Sequence, residues 1–147
     1  MRSASDDGPV RLAVVDDDPM VRAALGMMLG GDSGLVVVAE AGDGEEALRV
    51  VPASDADVVL MDIRMPRMDG IAARRQMAAD PALASIPVVA LSADVLTWPE
   101  TRVLQEGFAA HLPKPCNLNR ISALVAGLAR REAPSGLAAG MGPALAV

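Results

Sequence analysis

The sequence predicts a doubly wound α/β fold, in which helices cover both faces of a parallel sheet. Short apolar runs rich in β-branched residues alternate along the chain with stretches of helical periodicity. The central runs are continuously apolar, which is typical of strands that are buried on both faces of a sheet. Five strand–helix units in strict alternation indicate parallel strands joined by crossover helices.

Five apolar runs are short enough to form the strands of this sheet. The fifth run gives a weaker signal than the other four. The predicted strands span residues 10–15, 35–39, 57–61, 86–91 and 109–112.

The helices are predicted from their start and stop signals. Asp18 can cap the first helix, and Pro19 suits the first helical position. Thr97 can cap the fourth helix, with Pro99 in its first turn, and Asn117 can cap the fifth. The predicted helices span residues 19–29, residues 44–51 before Pro52, a stretch from Asp69 or Gly70 to the residue before Pro81, a stretch after Thr97 that Gly107 closes, and residues 118–130.

Right-handed crossovers favour the flavodoxin-like strand order 2-1-3-4-5 for these five units. The ordered domain is therefore predicted over residues 10–131. Residues 1–9 are polar and acidic and are expected to form a disordered leader. Residues 132–147 are rich in Ala, Gly and Pro and are expected to form a flexible tail.

Composition and charge indicate which kinds of partner to exclude and which cellular compartment fits the chain. The net charge of −6 argues against a nucleic acid or an anionic membrane as a partner. The single cysteine excludes an internal disulfide and a cysteine-based zinc site, and it fits the reducing cytoplasm. No apolar run reaches the length of about 18 residues that a membrane span needs.

The polar residues that carry chemistry follow the ends of the predicted strands. The first strand is followed by residues 16–18, which are all Asp, and the third by Asp62. Ser92 follows the fourth strand, and Lys114 comes soon after the fifth. Because ligands of such sheets bind beyond the carboxyl ends of the strands, we expect these side chains to meet at one edge.

A cluster of carboxylates with one lysine is suited to phosphoryl chemistry. Carboxylates about 5 Å apart repel one another by about 3 kcal/mol per pair at an effective dielectric near 20, and Mg²⁺ relieves this repulsion. Lys114, the only lysine beside twelve arginines, can neutralise a phosphate oxygen, and the Ser92 hydroxyl can donate to another. A carboxylate can itself attack phosphorus and form an aspartyl phosphate.

These residues lie in five stretches that resemble the receiver domain of two-component response regulators, over about residues 10–130. The stretches are LAVVDDDP at 12–19, GDGEEAL at 42–48, DVVLMDIRMPRMDG at 57–70, VVALSA at 88–93 and LPKP at 112–115. Their order and spacing match the family, and together they are far more specific than the acidic pair alone. The receiver of a hybrid kinase has the same pattern, so the chain can be either a separate regulator or part of a hybrid kinase.

The resemblance implies a role for each pocket position. Asp62 is implied as the phosphoacceptor and a metal ligand. Asp17 is implied as the direct Mg²⁺ ligand, with Asp16 as its outer acidic partner and the backbone carbonyl of Arg64 as a further ligand. Ser92 is implied as the switch hydroxyl.

The resemblance also assigns the residues at the end of the fifth strand. Lys114 is implied to pair with the phosphoryl group, and Pro115 to follow it through a cis peptide. Apart from the resemblance, Arg64 and Asp94 each lie two residues after a pocket residue, and we expect them to form an ion pair across the pocket mouth that slows hydrolysis of the phosphoryl group.

Two positions leave open how phosphorylation would change the surface that a partner binds. His111 stands where the family usually carries a switch Tyr or Phe. It can retain the swing of that residue, couple to Ser92 more weakly or in a pH-sensitive way, or be an ordinary half-buried residue. Trp98 can be either an exposed partner contact or a lid over the pocket, and Asp43, between two glycines, is expected to be a turn residue.

We therefore expect a signalling switch with intrinsic Mg²⁺-dependent phosphorylation and dephosphorylation, and not a metabolic enzyme. It would take a phosphoryl group from a histidine kinase or histidine phosphotransfer protein and change a surface for a downstream effector. The alternative is a phosphorylation-independent receiver that acts as a protein-binding module. A magnesium-dependent phosphatase would need an acid two residues after its nucleophile, and position 64 is Arg.

Overall fold

The computed structural model describes residues 8–93, 96–114 and 116–130. Their strands form one parallel sheet in the order β2-β1-β3-β4-β5, which confirms the predicted fold class. The strands are β1 (Val10–Val15), β2 (Leu35–Ala41), β3 (Val58–Asp62), β4 (Val88–Ser92) and β5 (Ala110–Pro113). The helices are α1 (Pro19–Gly30), α2 (Gly44–Ser54), α3 (Gly70–Ala79), α4 (Glu100–Gln105) and α5 (Leu118–Arg130).

The two faces of the sheet carry separate apolar cores, as expected for a sheet with helices on both sides. On one face, alternate residues of β1, β3 and β4 pack with α2, α3 and α4. On the other face, the intervening residues pack with α1 and α5. Strands β3 and β4 are buried along their whole length because each has a core on both faces.

The register of the sheet brings the carboxyl ends of four strands level with one another. Val15 of β1 lies opposite Met61 of β3, so the residues that follow both strands emerge together. Asp62 lies opposite Leu91 of β4, and Ser92 lies opposite Pro113 of β5. The residues that the sequence placed after separate strands therefore meet at this edge.

Two helix ends differ from the sequence prediction by two residues or more. Helix α2 was predicted to end before Pro52 but continues to Ser54. Proline removes only one helical N–H donor, and the Ser54 hydroxyl donates to the Val51 carbonyl at 2.7 Å. The left-handed backbone of Asp55, with φ of 59°, then ends the helix.

Helix α4 was predicted to start just after Thr97 but begins at Glu100. Proline disfavours the helical conformation of the residue before it, so Trp98 cannot join the first turn. Pro99 itself is extended, with φ of −66° and ψ of 158°, and is the N-cap residue. The predicted capping role of Thr97 is therefore wrong.

Candidate functional site

Three carboxylates meet where β1 and β3 end. Asp16 and Asp62 are buried, Asp17 is exposed, and one oxygen of each lies within 4.8 Å of the others. The Asp18 backbone N–H donates to Asp16 Oδ1 at 2.9 Å, which fixes the orientation of that carboxylate. At an effective dielectric near 20, charges at this separation repel by about 3 kcal/mol per pair.

Lys114 supplies the positive charge of this cluster. Its Nζ lies 2.7 Å from Asp16 Oδ2 and 3.5 Å from Asp62 Oδ2. The Lys114 backbone N–H donates to the Ser92 carbonyl at 2.9 Å, so the lysine is tied to the end of β4. The predicted combination of acids and a lysine from remote segments is therefore present in the structure.

The ionisation of Asp62 is finely balanced. Burial raises its pKa to about 6, and the nearby charges of Asp16 and Asp17 act in the same direction. Lys114 and the Arg64 backbone N–H, which donates to this carboxylate, lower the pKa but do not offset burial. With this pKa, Asp62 is mainly ionised at pH 7 and about half protonated near pH 6.

A cavity of about 440 Å³ opens beside this carboxylate. It is lined by Asp62, Arg64, Ser92, Ala93 and Lys114. The lining residues combine a carboxylate, a hydroxyl and an ammonium group, which together suit a tetrahedral anion bound near a nucleophile.

The donor set of the site also suits a hard divalent cation. All three clustered side chains offer carboxylate oxygens, and neither His nor Cys is among them. Mg²⁺ prefers oxygen ligands and binds through one or two carboxylates while keeping waters and phosphate oxygens. The residues present therefore fit Mg²⁺.

His111 and Trp98 lie on the face of the sheet that α4 covers. The His111 side chain is 8% exposed, and its Nε2 has no hydrogen-bond partner among the described residues. Burial lowers the pKa of His111, while Glu100 opposes this shift. Trp98 is half-buried against the core, and the Arg102 guanidinium lies 4.2 Å from its ring centroid.

Several sequence predictions fall outside the described residues. Asp94, the expected partner of Arg64, and Pro115, the expected cis proline, are among them. The same is true of nearly all of the predicted leader and tail. Within the described part of the chain, none of the helices is long and apolar enough to cross a membrane.

The sequence reasoning missed the contacts that Asp43 makes with α2 and with the connection between β3 and α3. Asp43, predicted as a turn residue, is 3% exposed and caps α2 by accepting from the Glu46 N–H at 2.8 Å. Its other carboxylate oxygen accepts from Arg67, in the connection between β3 and α3. An acidic residue three positions before Glu46 is a capping signal that the sequence did contain.

Comparison with known proteins adds a family to this geometry. The family model of the response regulator receiver domain matches residues 12–126. A protein-glutamate methylesterase/protein-glutamine glutaminase of Azospirillum brasilense is 36% identical over 122 residues, which are 80% of this chain and 30% of that protein. The response regulator MprA of Mycolicibacterium vanbaalenii is 35% identical over 126 residues, or 86% of this chain and 53% of that protein. The chain thus spans about a third to a half of these relatives.

Solved structures show the same fold. The receiver domain of the sensor histidine kinase PA1611 from Pseudomonas aeruginosa, with a magnesium ion in its active-site cleft, is similar with a TM-score of 0.73 and 27% identity. That match covers 83% of this chain and 98% of that structure. The receiver domain of the regulator NarL from Mycobacterium tuberculosis has a TM-score of 0.74 and 31% identity, over 84% of this chain and 98% of that one.

Proposed function

The chain belongs to the response regulator receiver family, and on this premise we propose that Asp62 accepts a phosphoryl group from a histidine kinase or a histidine phosphotransfer protein. The observation that carries the proposal is the arrangement of Asp16, Asp17 and Asp62 within 4.8 Å of one another, with Lys114 beside them. Three clustered carboxylates repel one another unless a cation is bound, and the residues that line the adjacent cavity suit an anion.

Mg²⁺ is the proposed cofactor. Asp17 and Asp62 would hold it through their carboxylates, with Asp16 as the outer acidic partner and the Arg64 backbone carbonyl as a further ligand. When bound, Mg²⁺ would neutralise the carboxylates and the charge that develops on the transferring phosphoryl oxygens.

The transfer itself needs little covalent chemistry from the protein. An oxygen of ionised Asp62 attacks phosphorus, the new O–P bond forms, and the N–P bond of the donor phosphohistidine breaks and leaves its electron pair on the imidazole. Lys114, 3.5 Å from Asp62, would neutralise one phosphoryl oxygen. The Ser92 hydroxyl, which lines the same cavity, would donate to another.

The donor protein must contact the surface around the cavity for its phosphohistidine to reach Asp62. Helix α1 starts directly after the acidic cluster, and its side chains at Met20 and Met27 are 80% and 82% exposed. These residues are seven apart and lie on one face of the helix, so they form an apolar contact surface next to the site. We assign this face to the phosphoryl donor.

The output is proposed to be a downstream effector protein that binds the surface of α4, β5 and α5, around His111 and Trp98. The proposed location is the cytoplasm, which a single cysteine fits. Intrinsic dephosphorylation would reset the switch, and the chain would not act as a metabolic enzyme.

The direct test is incubation with Mg²⁺ and acetyl phosphate, followed by intact mass. We expect the wild type to gain one phosphate, Asp62→Asn to gain none, and the control Asp69→Asn to behave as wild type. Asp69 is an exposed N-cap outside the cavity, and Asn retains capping. A wild type that gains no phosphate, or an equal gain in Asp62→Asn, would overturn the proposal and favour a phosphorylation-independent binding module.

A further inference from the structure

The segment that connects β3 to α3, residues 63–69, carries the backbone groups that face the cavity. The Arg64 N–H donates to the Asp62 carboxylate, and the Arg64 carbonyl is the proposed Mg²⁺ ligand. We name residues 63–69 the acceptor loop. The position of its backbone therefore determines the geometry of the site.

The acceptor loop is tied to the sheet at both ends. The Ile63 N–H donates to the Leu91 carbonyl at 3.1 Å, and the Gly70 N–H donates back to the Ile63 carbonyl at 2.8 Å. A Cβ at Gly70 would collide with the backbone carbonyl of Asp62. The ends of the loop are thus held tightly, while its middle lies against α2.

The middle of the loop is attached to the start of α2 by a close ion pair between Arg67 and Asp43, a longer one of 4.0 Å between Arg67 and Glu45, and one backbone hydrogen bond. Arg67 Nε donates to Asp43 Oδ2 at 2.8 Å, and Arg67 Nη2 donates to the same oxygen. One residue further along each segment, the Gly44 N–H donates to the Met68 carbonyl at 2.9 Å. A Cβ at Gly44 would come within 2.7 Å of that carbonyl, so the close approach requires glycine.

The two partners of the ion pair have very different environments. The Asp43 side chain is 4% exposed, whereas the Arg67 side chain is 71% exposed. A buried carboxylate needs a donor on each oxygen, and Asp43 has the Glu46 N–H on Oδ1 and Arg67 on Oδ2. The N–H of Glu46 and then Arg67 hold the pKa of Asp43 below its ordinary value, so it stays ionised.

The backbone of Arg67 indicates that this contact is specific. Its φ is 62°, in the left-handed region that side chains other than Gly and Asn rarely adopt. This conformation persists only where surrounding contacts hold it, and the bond to Asp43 is such a contact. Arg67 is three residues after Arg64, so its conformation also constrains the path of the backbone at the cavity.

We propose that the Asp43–Arg67 pair is a latch that positions the acceptor loop, and through it the Arg64 backbone, for Mg²⁺ binding at Asp62. This proposal rests on the proposed function of the site. Arg67 and Asp43 are positioning residues, since neither lines the cavity. Contacts that orient metal ligands commonly change metal affinity by roughly 10-fold to 100-fold when they are removed.

The test compares Mg²⁺ affinity, by calorimetry, in the wild type, Arg67→Asn, Asp43→Asn and the control Arg75→Ala. Asn at 67 accepts the left-handed backbone but is too short to reach Asp43, and Asn at 43 keeps the cap but loses the charge. Arg75 donates to both oxygens of Glu106, at 3.0 and 2.9 Å, away from the cavity. We expect Mg²⁺ affinity to fall roughly tenfold in both latch variants and to be unchanged in the control.

A second readout, hydrogen exchange of the metal-free protein, separates positioning from general stability. The Gly44 amide and the acceptor loop should exchange faster in both latch variants, while strand amides exchange as in the wild type. Unchanged Mg²⁺ affinity in Arg67→Asn and Asp43→Asn, or an equal fall in Arg75→Ala, would overturn the latch. A wild type that binds Mg²⁺ but gains no phosphate would overturn the proposed function and leave the latch result standing.

Discussion

Replacing Asp62 by Asn is expected to stabilise the metal-free protein. Burial and the neighbouring carboxylates raise the Asp62 pKa from 3.8 to about 6, so the folded state disfavours the ionised form. At about 1.4 kcal/mol per pH unit, this corresponds to about 3 kcal/mol near pH 7. Because the cavity is open to solvent, screening reduces the value, and we expect Asp62→Asn to gain about 1–2 kcal/mol.

The sign of the pH dependence follows from the direction of the shift. Between pH 4 and 6 the folded state holds a proton on Asp62 that the unfolded state has lost, so this group lowers stability as pH rises. Below a pH of about 4 the carboxyl is neutral in both states. The advantage of Asp62→Asn should therefore be largest at pH 7 and shrink towards zero at low pH.

Urea unfolding in EDTA at several pH values measures this difference. With an m-value near 2 kcal/mol/M, the midpoint at pH 7 should rise by roughly 0.5–1 M in Asp62→Asn, and not in the exposed-site control Asp69→Asn. Added Mg²⁺ should stabilise the wild type and the control Asp69→Asn but not Asp62→Asn, because a ligand stabilises the state that binds it. A variant that is no more stable than the wild type at pH 7, or whose gain is equally large at pH 4, would refute the reasoning.

Three further outcomes are expected. Mg²⁺ affinity should weaken by about tenfold per pH unit below about pH 6, because the proton on Asp62 competes with the metal; calorimetry that gives a constant affinity from pH 7 to 5 would contradict this. Gly70→Ala should destabilise the fold by about 2 kcal/mol or more, since the new Cβ meets the Asp62 carbonyl, and urea unfolding against the open-space control Gly127→Ala checks it. Because burial lowers the pKa of His111, protonation of its imidazole should reduce the free energy of unfolding as pH falls below about 6.5. In an Asp62→Asn background, His111→Phe should remove that loss. Equal pH profiles of stability with and without His111 would contradict this expectation.

The strand order and the meeting of the site residues could be predicted from the sequence because both follow from short-range patterns. Buried strands show as apolar runs, and residues after parallel strands emerge at the same edge. Asp16, Asp62 and Lys114 could therefore be brought together without any knowledge of loops. The spacing of Asp16, Asp17 and Asp62 to within 4.8 Å and the contact of Lys114 with two carboxylates could be obtained only from the register of the sheet.

The latch and the start of α4 could not be predicted in the same way. The pairing of Asp43 with Arg67 joins segments 24 residues apart, and neither periodicity nor propensity relates them. Arg67 is also a residue that would not be expected to have a positive φ, so only tertiary contact identifies its conformation. At α4, the restriction that Pro99 places on Trp98 outweighed the capping preference of Thr97.

The contacts of Lys114 show how phosphorylation could be transmitted from the cavity. Its ammonium lies between Asp16 and Asp62, while its backbone N–H is bonded to the Ser92 carbonyl. A phosphoryl group on Asp62 would add negative charge there and compete with Asp16 for this ammonium, so we expect it to displace the ends of β4 and β5 together. His111 is three residues before Lys114 on β5, lies opposite Ala90 of β4 and is buried with an unpartnered Nε2 among the described residues. We expect a shift of β5 to change first the packing of His111 against the face covered by α4, which belongs to the surface proposed to bind the effector.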